Sequence, residues 1–198
     1  MKIAVMSDIH GNIYALMKTL EDIDEQNVDK IICLGDLVGY GPHPNEVVAL
    51  IKRREIPCVK GNYDASVVDG DFTYIRNTAI NSFALPWACE EVRVANKYYL
   101  DSLPTSLKYT FNGVNMLLTH GSPNAINDYL FEDDEKTKEI MSQYEGDVLV
   151  CAHTHIPFAK KYNNKLLINV GSVGKPKIGK PNPTYALIEI NDNGEVKV

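Results

Sequence analysis

Read from the N-terminus, one short apolar run after another ends in a side chain able to bind a metal. Lys2 to Ser7 leads into Asp8 and His10. Lys30 to Leu34 leads into Asp36, and Ile56 to Lys60 into Asn62. An Asn-Gly hairpin leads into His120, and Asp147 to Ala152 into His153 and His155. In open α/β sheets, sites lie just beyond the carboxyl ends of strands. Seven oxygen and nitrogen donors from five separate segments are therefore predicted to converge. The chain has 5 histidines, and only His43 falls outside this pattern; it reads as a solvated loop residue. Carboxylate, imidazole and one amide, with no thiolate, suit Mn, Fe, Ni, Co or Zn rather than a structural cysteine-rich zinc site. Seven donors exceed the needs of one tetrahedral ion, so two ions are expected, with one carboxylate bridging them.

The spacing of apolar residues supplies the scaffold. Ile13, Leu16, Met17, Leu20 and Ile23 recur three and four apart, as on the buried face of a helix. Val47, Val48, Leu50 and Ile51 suggest a second helix after the loop containing Gly39, Gly41, Pro42 and Pro44. Three strands alternating with helices predict β-α-β units and a largely parallel sheet in the first third. Between residues 64 and 103 the strand pattern disappears, and Ile80, Phe83, Ala84 and Trp87, then Val92, Val94, Ala95, Tyr98 and Tyr99, predict one or two helices forming a cap segment.

The second half reads as hairpins. Leu107 to Phe111 and Val114 to Thr119 flank Asn112-Gly113, a pair that readily adopts the positive φ angles of a type I′ turn. Two further hairpins are predicted, Ala159 to Tyr162 with Leu166 to Val170, and Tyr185 to Ile190 with Glu195 to Val198. Residues 133–144 read as a polar surface helix. With 198 residues and no internal repeat or linker, the chain is expected to form a single α/β domain with mixed sheets.

Composition narrows the function. Lys plus Arg number 20 against 26 Asp plus Glu, a formal charge of −6, which argues against a phosphate-tracking nucleic-acid binder. Cys33, Cys58, Cys89 and Cys151 are widely spaced and expected to be reduced. No apolar run approaches the roughly 18 residues of a membrane span, and the N-terminus lacks a signal-peptide core. A cytoplasmic protein without membrane contact is expected, acting on a small phosphorylated or nucleotide substrate, as a monomer or homo-oligomer. Gly171-Ser172-Val173-Gly174-Lys175-Pro176 lacks the P-loop spacing.

In order, Asp8-Ile9-His10, Gly35-Asp36, Gly61-Asn62-Tyr63-Asp64, His120-Gly121 and Ala152-His153-Thr154-His155 resemble the motifs of the calcineurin-like metallophosphoesterases. The stretch Asn169-Val170-Gly171-Ser172-Val173-Gly174 resembles the tail of the family's small bacterial and archaeal phosphodiesterase-like members. The resemblance implies a metallophosphoesterase-like β-sandwich of mixed sheets flanked by helices, in four α-β-β-α layers. It implies that Asp8, His10, Asp36 and His155 hold one divalent ion, and Asp36, Asn62, His120 and His153 the other, with Asp36 as the bridge. The implied activity is dinuclear-metal-dependent hydrolysis, most simply of a phosphodiester by attack of a metal-bridging hydroxide, with manganese the leading metal. Asn62 would also lie beside the phosphate. The alternatives are hydrolysis of a dinucleoside polyphosphate and, in another class, a non-catalytic scaffold of the same fold, against which the complete ligand set argues.

The chain departs from the family pattern in two places. Tyr63 stands where a leaving-group histidine is usual, and a phenol with a pKa near 10 is a poor proton shuttle at neutral pH, although it still donates a hydrogen bond. Tyr63 would face the leaving group, favouring diesters over alkyl monoesters. No arginine follows Gly35-Asp36, where the family's protein phosphatases carry one. The other departure, Ala152 in place of glycine, is small.

Overall fold

The computed structural model describes residues 1–198, and the alternation of side chains along its strands explains its layering. Strand β1 (Lys2–Met6) pairs in parallel with β2 (Lys30–Cys33) and antiparallel with β8 (Ala186–Ile190), and β9 (Val196–Lys197) completes a four-stranded sheet in the order β2-β1-β8-β9. Successive residues of a strand point to opposite faces. In β1, Ile3 and Val5 enter one apolar cluster while Ala4 and Met6 enter another.

The second sheet has five strands in the order β3-β4-β5-β7-β6, formed by β3 (Ser106–Phe111), β4 (Val114–Thr119), β5 (Val148–Cys151), β7 (Lys165–Asn169) and β6 (Phe158–Tyr162). Its centre, β4-β5-β7, is parallel, and its two edges are antiparallel hairpin strands. Met116, Leu118, Val148, Val150 and Ile168 meet Ile3, Val5, Ile32 and Leu34 between the sheets. That shared interior is the core of the sandwich. A buried leucine here contributes roughly 1.5–3 kcal/mol through area removed from water.

Helices cover both outer faces. Helix α1 (Ile13–Glu25) places Leu16, Leu20 and Ile23 with Val47, Val48 and Ile51 of α2 (Pro44–Arg53) against Ala4, Met6 and Cys33. It starts where Asn12 Oδ1 accepts the N–H of Ala15 at 3.1 Å, satisfying one of the donors a helix N-terminus leaves free. On the far side, Ile140 and Met141 of α6 (Glu135–Gln143) cover Leu149, Cys151 and Leu167. The molecule is the expected four-layer α-β-β-α sandwich.

Two local expectations change. Ile56 to Lys60 does not form a strand of its own: one parallel bridge, Cys33 with Cys58, is its entire pairing with the sheet. Pro57 lacks the N–H a ladder requires, and the chain turns at once into Gly61. The segment between 64 and 103 holds three helices rather than one or two, α3 (Asn62–Asp69), α4 (Ala79–Glu91) and α5 (Val94–Ser102). Val67, Ala88 and Leu100 join the same cluster as α1 and α2, so these helices extend the outer layer over the first sheet. Pro86 lies inside α4, where it removes one backbone N–H donor from the helix.

The hairpin turn at Asn112-Gly113 has φ of 49° and 83°, as its sequence predicts. The four cysteines are free. No helix is long and apolar enough to cross a membrane.

Candidate metal centre

The strand ends deliver their polar side chains through tight, left-handed turns. Asp8, His10, Asp36, His153 and His155 have φ between 49° and 64°. Non-glycine residues rarely adopt this region, and when they do they cluster at functional sites. Hydrogen bonds across segments hold these turns in place. The amide of Asp8 donates to Gly35 O at 3.0 Å, that of His10 to Asp36 O at 2.9 Å, and that of Ala152 to His120 O at 2.9 Å.

All seven predicted ligands are buried and brought together. The nearest donor atoms of Asp8, His10 and His155 lie within 4.8 Å of one another, as do those of Asp36, His120 and His153. Within the first triad, His155 Nε2 is 3.2 Å from Asp8 Oδ1 and 3.3 Å from His10 Nε2. Asn62 joins the second triad through its Oδ1, 2.9 Å from His120 Nε2. Asp36 Oδ2 stands between the triads, 3.6 Å from His10 Nε2 and 3.4 Å from His120 Nε2. His43 is elsewhere, at the start of α2 with its ring against Tyr14.

Three imidazoles are aimed by the backbone. His10 Nδ1 contacts Val38 O at 3.1 Å, His120 Nδ1 contacts Leu34 O at 2.7 Å, and His155 Nδ1 contacts Lys175 O at 2.6 Å. A carbonyl can only accept, so each Nδ1 carries the proton and each Nε2 is turned into the site, the usual arrangement of a metal-binding histidine. Asp8 Oδ1, Asp36 Oδ2 and His153 Nε2 are buried with no hydrogen-bond partner. Buried carboxylate oxygens left unpaired are costly. Their convergence, with no thiolate among the donors, fits divalent cations.

Electrostatics follow from this crowding. Burial opposes charge on His120, yet Asp36 beside it, helped by Asp8, raises its pKa to about 10. Burial lowers His153 to about 3, with His120 acting in the same sense. Burial works to raise Asp8, but the surrounding histidines, His155 foremost, hold it well below the ordinary carboxylate range.

Glycine is required where two ligand loops touch. A Cβ on Gly61 would fall 2.1 Å from Asp36 Oδ1 and 2.2 Å from Asp36 N. Asp64 locks the same junction, its Oδ2 accepting from Gly61 N at 3.0 Å and its Oδ1 from Leu37 N at 2.9 Å.

Residues 1–193 match the calcineurin-like phosphoesterase superfamily domain. The chain belongs to that superfamily. The chain is 35% identical over 207 residues to an uncharacterized protein of Methanocaldococcus jannaschii, covering 96% of this chain and 83% of that one. It is 27% identical over 209 residues to the phosphodiesterase YfcE of Escherichia coli, covering 97% and 94%. The crystal structure of a metallophosphoesterase from Sphaerobacter thermophilus superposes with a TM-score of 0.81 at 27% identity, covering 98% of this chain and 85% of that one. Two groups of side chains able to hold a metal ion therefore sit on the family's fold.

Tyr63 is buried, its ring 4.9 Å from that of His10. Its hydroxyl donates to Asn81 Oδ1 at 2.8 Å and touches the hydroxyl of Tyr40. Burial, reinforced by Tyr40, holds its pKa far above the ordinary phenol value. Several contributors escaped the sequence reading. Ser172 Oγ donates to Asp8 O at 2.9 Å, tying the tail motif to the first ligand turn. The ring of Tyr129 lies 4.1 Å from that of His153. No sequence periodicity marks either one. Asp64 could have been found from its position three residues after Gly61, where a helix-capping carboxylate sits.

Proposed function

We propose that this phosphoesterase is a dinuclear-metal-dependent phosphodiesterase. The observation that carries the reading is the pair of buried side-chain triads, with the unpartnered Asp36 Oδ2 of the second lying 3.6 Å from His10 Nε2 of the first. Asp8, His10, Asp36 and His155 are assigned to one ion and Asp36, Asn62, His120 and His153 to the other, with Asp36 shared. When bound, two divalent ions lower the pKa of water and neutralise phosphoryl oxygens. Manganese is the leading candidate, and Fe, Ni, Co and Zn suit the same donors.

The chain's own contribution is orientation and exclusion of water. The Nδ1 contacts of His10, His120 and His155 fix where each Nε2 points. The left-handed turns set the backbone from which Asp8, His10, Asp36, His153 and His155 project. Asn62 is assigned a second role beside the phosphate. Tyr63 is assigned to face the leaving group; its raised pKa keeps the phenol protonated, and its one proton is given to Asn81 Oδ1. A group that gives up its proton so reluctantly is a weak general acid, which favours diesters with good leaving groups over alkyl monoesters. The name of the YfcE relative points the same way. The free cysteines suit a reducing compartment, and we place the enzyme in the cytoplasm.

A second reading, cleavage of a dinucleoside polyphosphate, draws support from the Tyr40 ring 4.8 Å from that of His10, since aromatic rings stack on nucleobases. The deciding experiment strips the protein of metal, reloads it with Mn²⁺ and compares bis-p-nitrophenyl phosphate with p-nitrophenyl phosphate. Metal-dependent turnover favouring the diester is expected. Tight metal retention without turnover of any phosphate ester or anhydride would overturn the enzymatic reading in favour of a scaffold.

A further inference from the structure

Each flank of the metal centre carries a cation held one aromatic ring away from a ligand histidine. On one side, the Arg76 guanidinium lies 4.3 Å from the centroid of the Tyr129 ring, which is itself 4.1 Å from the ring of His153. On the other, Lys175 Nζ lies 3.4 Å from the centroid of the Tyr40 ring, which is 4.8 Å from that of His10. His153 and His10 belong to different triads. Neither cation forms an ion pair.

Both cations are tethered to the site by the backbone. Arg76 lies in the loop between α3 and α4, and its carbonyl accepts from Asn81 Nδ2 at 2.8 Å while Asn81 Oδ1 accepts from Tyr63. Two residues earlier, the Tyr74 carbonyl accepts from Nδ2 of Asn62 at 3.2 Å. The carbonyl of Lys175 holds His155 Nδ1, and its N–H donates to Ser172 Oγ at 2.9 Å. A third cation, Lys177, adjoins them, its amide donating to His155 O at 3.1 Å. Lys175 and Lys177 thus both anchor to the His155 turn, and Arg76 to Tyr63 through Asn81.

A diester phosphate carries a single negative charge. Arg76 and Lys175, each one ring away from a centre that would already hold two divalent ions, offer a ligand more positive charge than a single negative charge needs. Guanidinium and ammonium groups bind phosphate and carboxylate through charge-assisted hydrogen bonds. We propose that Arg76 and Lys175 recognise substrate directly, and that they select organic phosphates bearing a further anionic group beside the scissile phosphate. This rests on the phosphodiesterase reading and names its substrate class. In it Tyr63 has an added positioning role, holding Asn81 and through it the Arg76 loop.

The test uses two esters with the same scissile bond, thymidine 5′-(p-nitrophenyl phosphate) with and without a 3′-phosphate, on the Mn²⁺-loaded full chain. Calorimetry with thymidine 3′,5′-bisphosphate and thymidine 5′-phosphate gives the same comparison without turnover. The protein is expected to prefer the more highly charged member of each pair. That preference should fall about tenfold in Arg76→Gln and in Lys175→Gln, through KM rather than kcat. Lys18→Gln, at an exposed position of α1, should keep it. No preference in the unaltered protein overturns the proposal, and an unchanged preference in either variant overturns the assignment of that residue. If neither ester is cleaved, nor bis-p-nitrophenyl phosphate, the phosphodiesterase reading fails while calorimetry still judges the cations.

Discussion

The main-chain N–H of Tyr63 donates to Asp36 Oδ1 at 2.8 Å, so one oxygen of this carboxylate is occupied in orientation while Oδ2 faces both triads without a partner. Tyr63 thereby serves the site through its backbone whatever its side chain does. The bridging role proposed for Asp36 would need this division of labour, because a carboxylate free to rotate would present either oxygen.

Replacing Asp36 with Asn should remove bound metal and activity together. The amide keeps an oxygen for the Tyr63 N–H but cannot offer a second anionic oxygen to two ions. Metal analysis should show fewer than two ions per chain, with turnover lowered by at least roughly 10²-fold, the scale of losing one electrostatic element of an active site. Two tightly held ions with full activity would eliminate the bridging role.

Metal uptake should strengthen as pH rises. His120, at about 10, is protonated at neutral pH in the ion-free site, and a ligand Nε2 must be neutral. Loading therefore expels this proton, and lowering the pH favours the proton over the metal. His153, at about 3, is already neutral and adds nothing to the proton release above roughly pH 4. Calorimetric titration with Mn²⁺ in buffers of different ionisation enthalpy should report about one proton released near pH 7 and a slope of about tenfold in affinity per pH unit. An affinity flat between pH 6 and 8 would contradict it.

Tyr63→Phe should retain metal yet lose stability. The backbone bond to Asp36 survives, whereas the bonds of the phenol to Asn81 and Tyr40 do not. A buried amide oxygen left unsatisfied costs about 1–3 kcal/mol, measurable by urea denaturation with the metal content followed in parallel. Tyr63→His tests the chemical role, and a rise in monoester relative to diester cleavage is expected. An unaltered ratio would show that this position does not govern leaving-group preference.

Gly61→Ala should damage the centre although it removes no ligand. The added methyl would meet Asp36 Oδ1 and N, one of them rigid backbone, so the ligand loops must move apart. A stability loss of about 1–3 kcal/mol with weakened metal binding is expected, from thermal unfolding and metal analysis. His43→Ala should change neither.

The sequence by itself brought the seven candidate ligands into one pattern, each after an apolar run, and marked the buried face of α1 by the spacing of Ile13, Leu16, Leu20 and Ile23, while the four layers followed from the family resemblance. Only the tertiary structure decided the rest. The pairing of Arg76 with Tyr129, of Lys175 with Tyr40, and of Tyr63 with Asn81 joins residues from separate segments, and no period along the chain encodes such contacts. Side-chain periodicity reports which face of an element is buried. Which groups then meet at the end of the sandwich depends on the relative placement of sheets, turns and helices, which no single segment specifies.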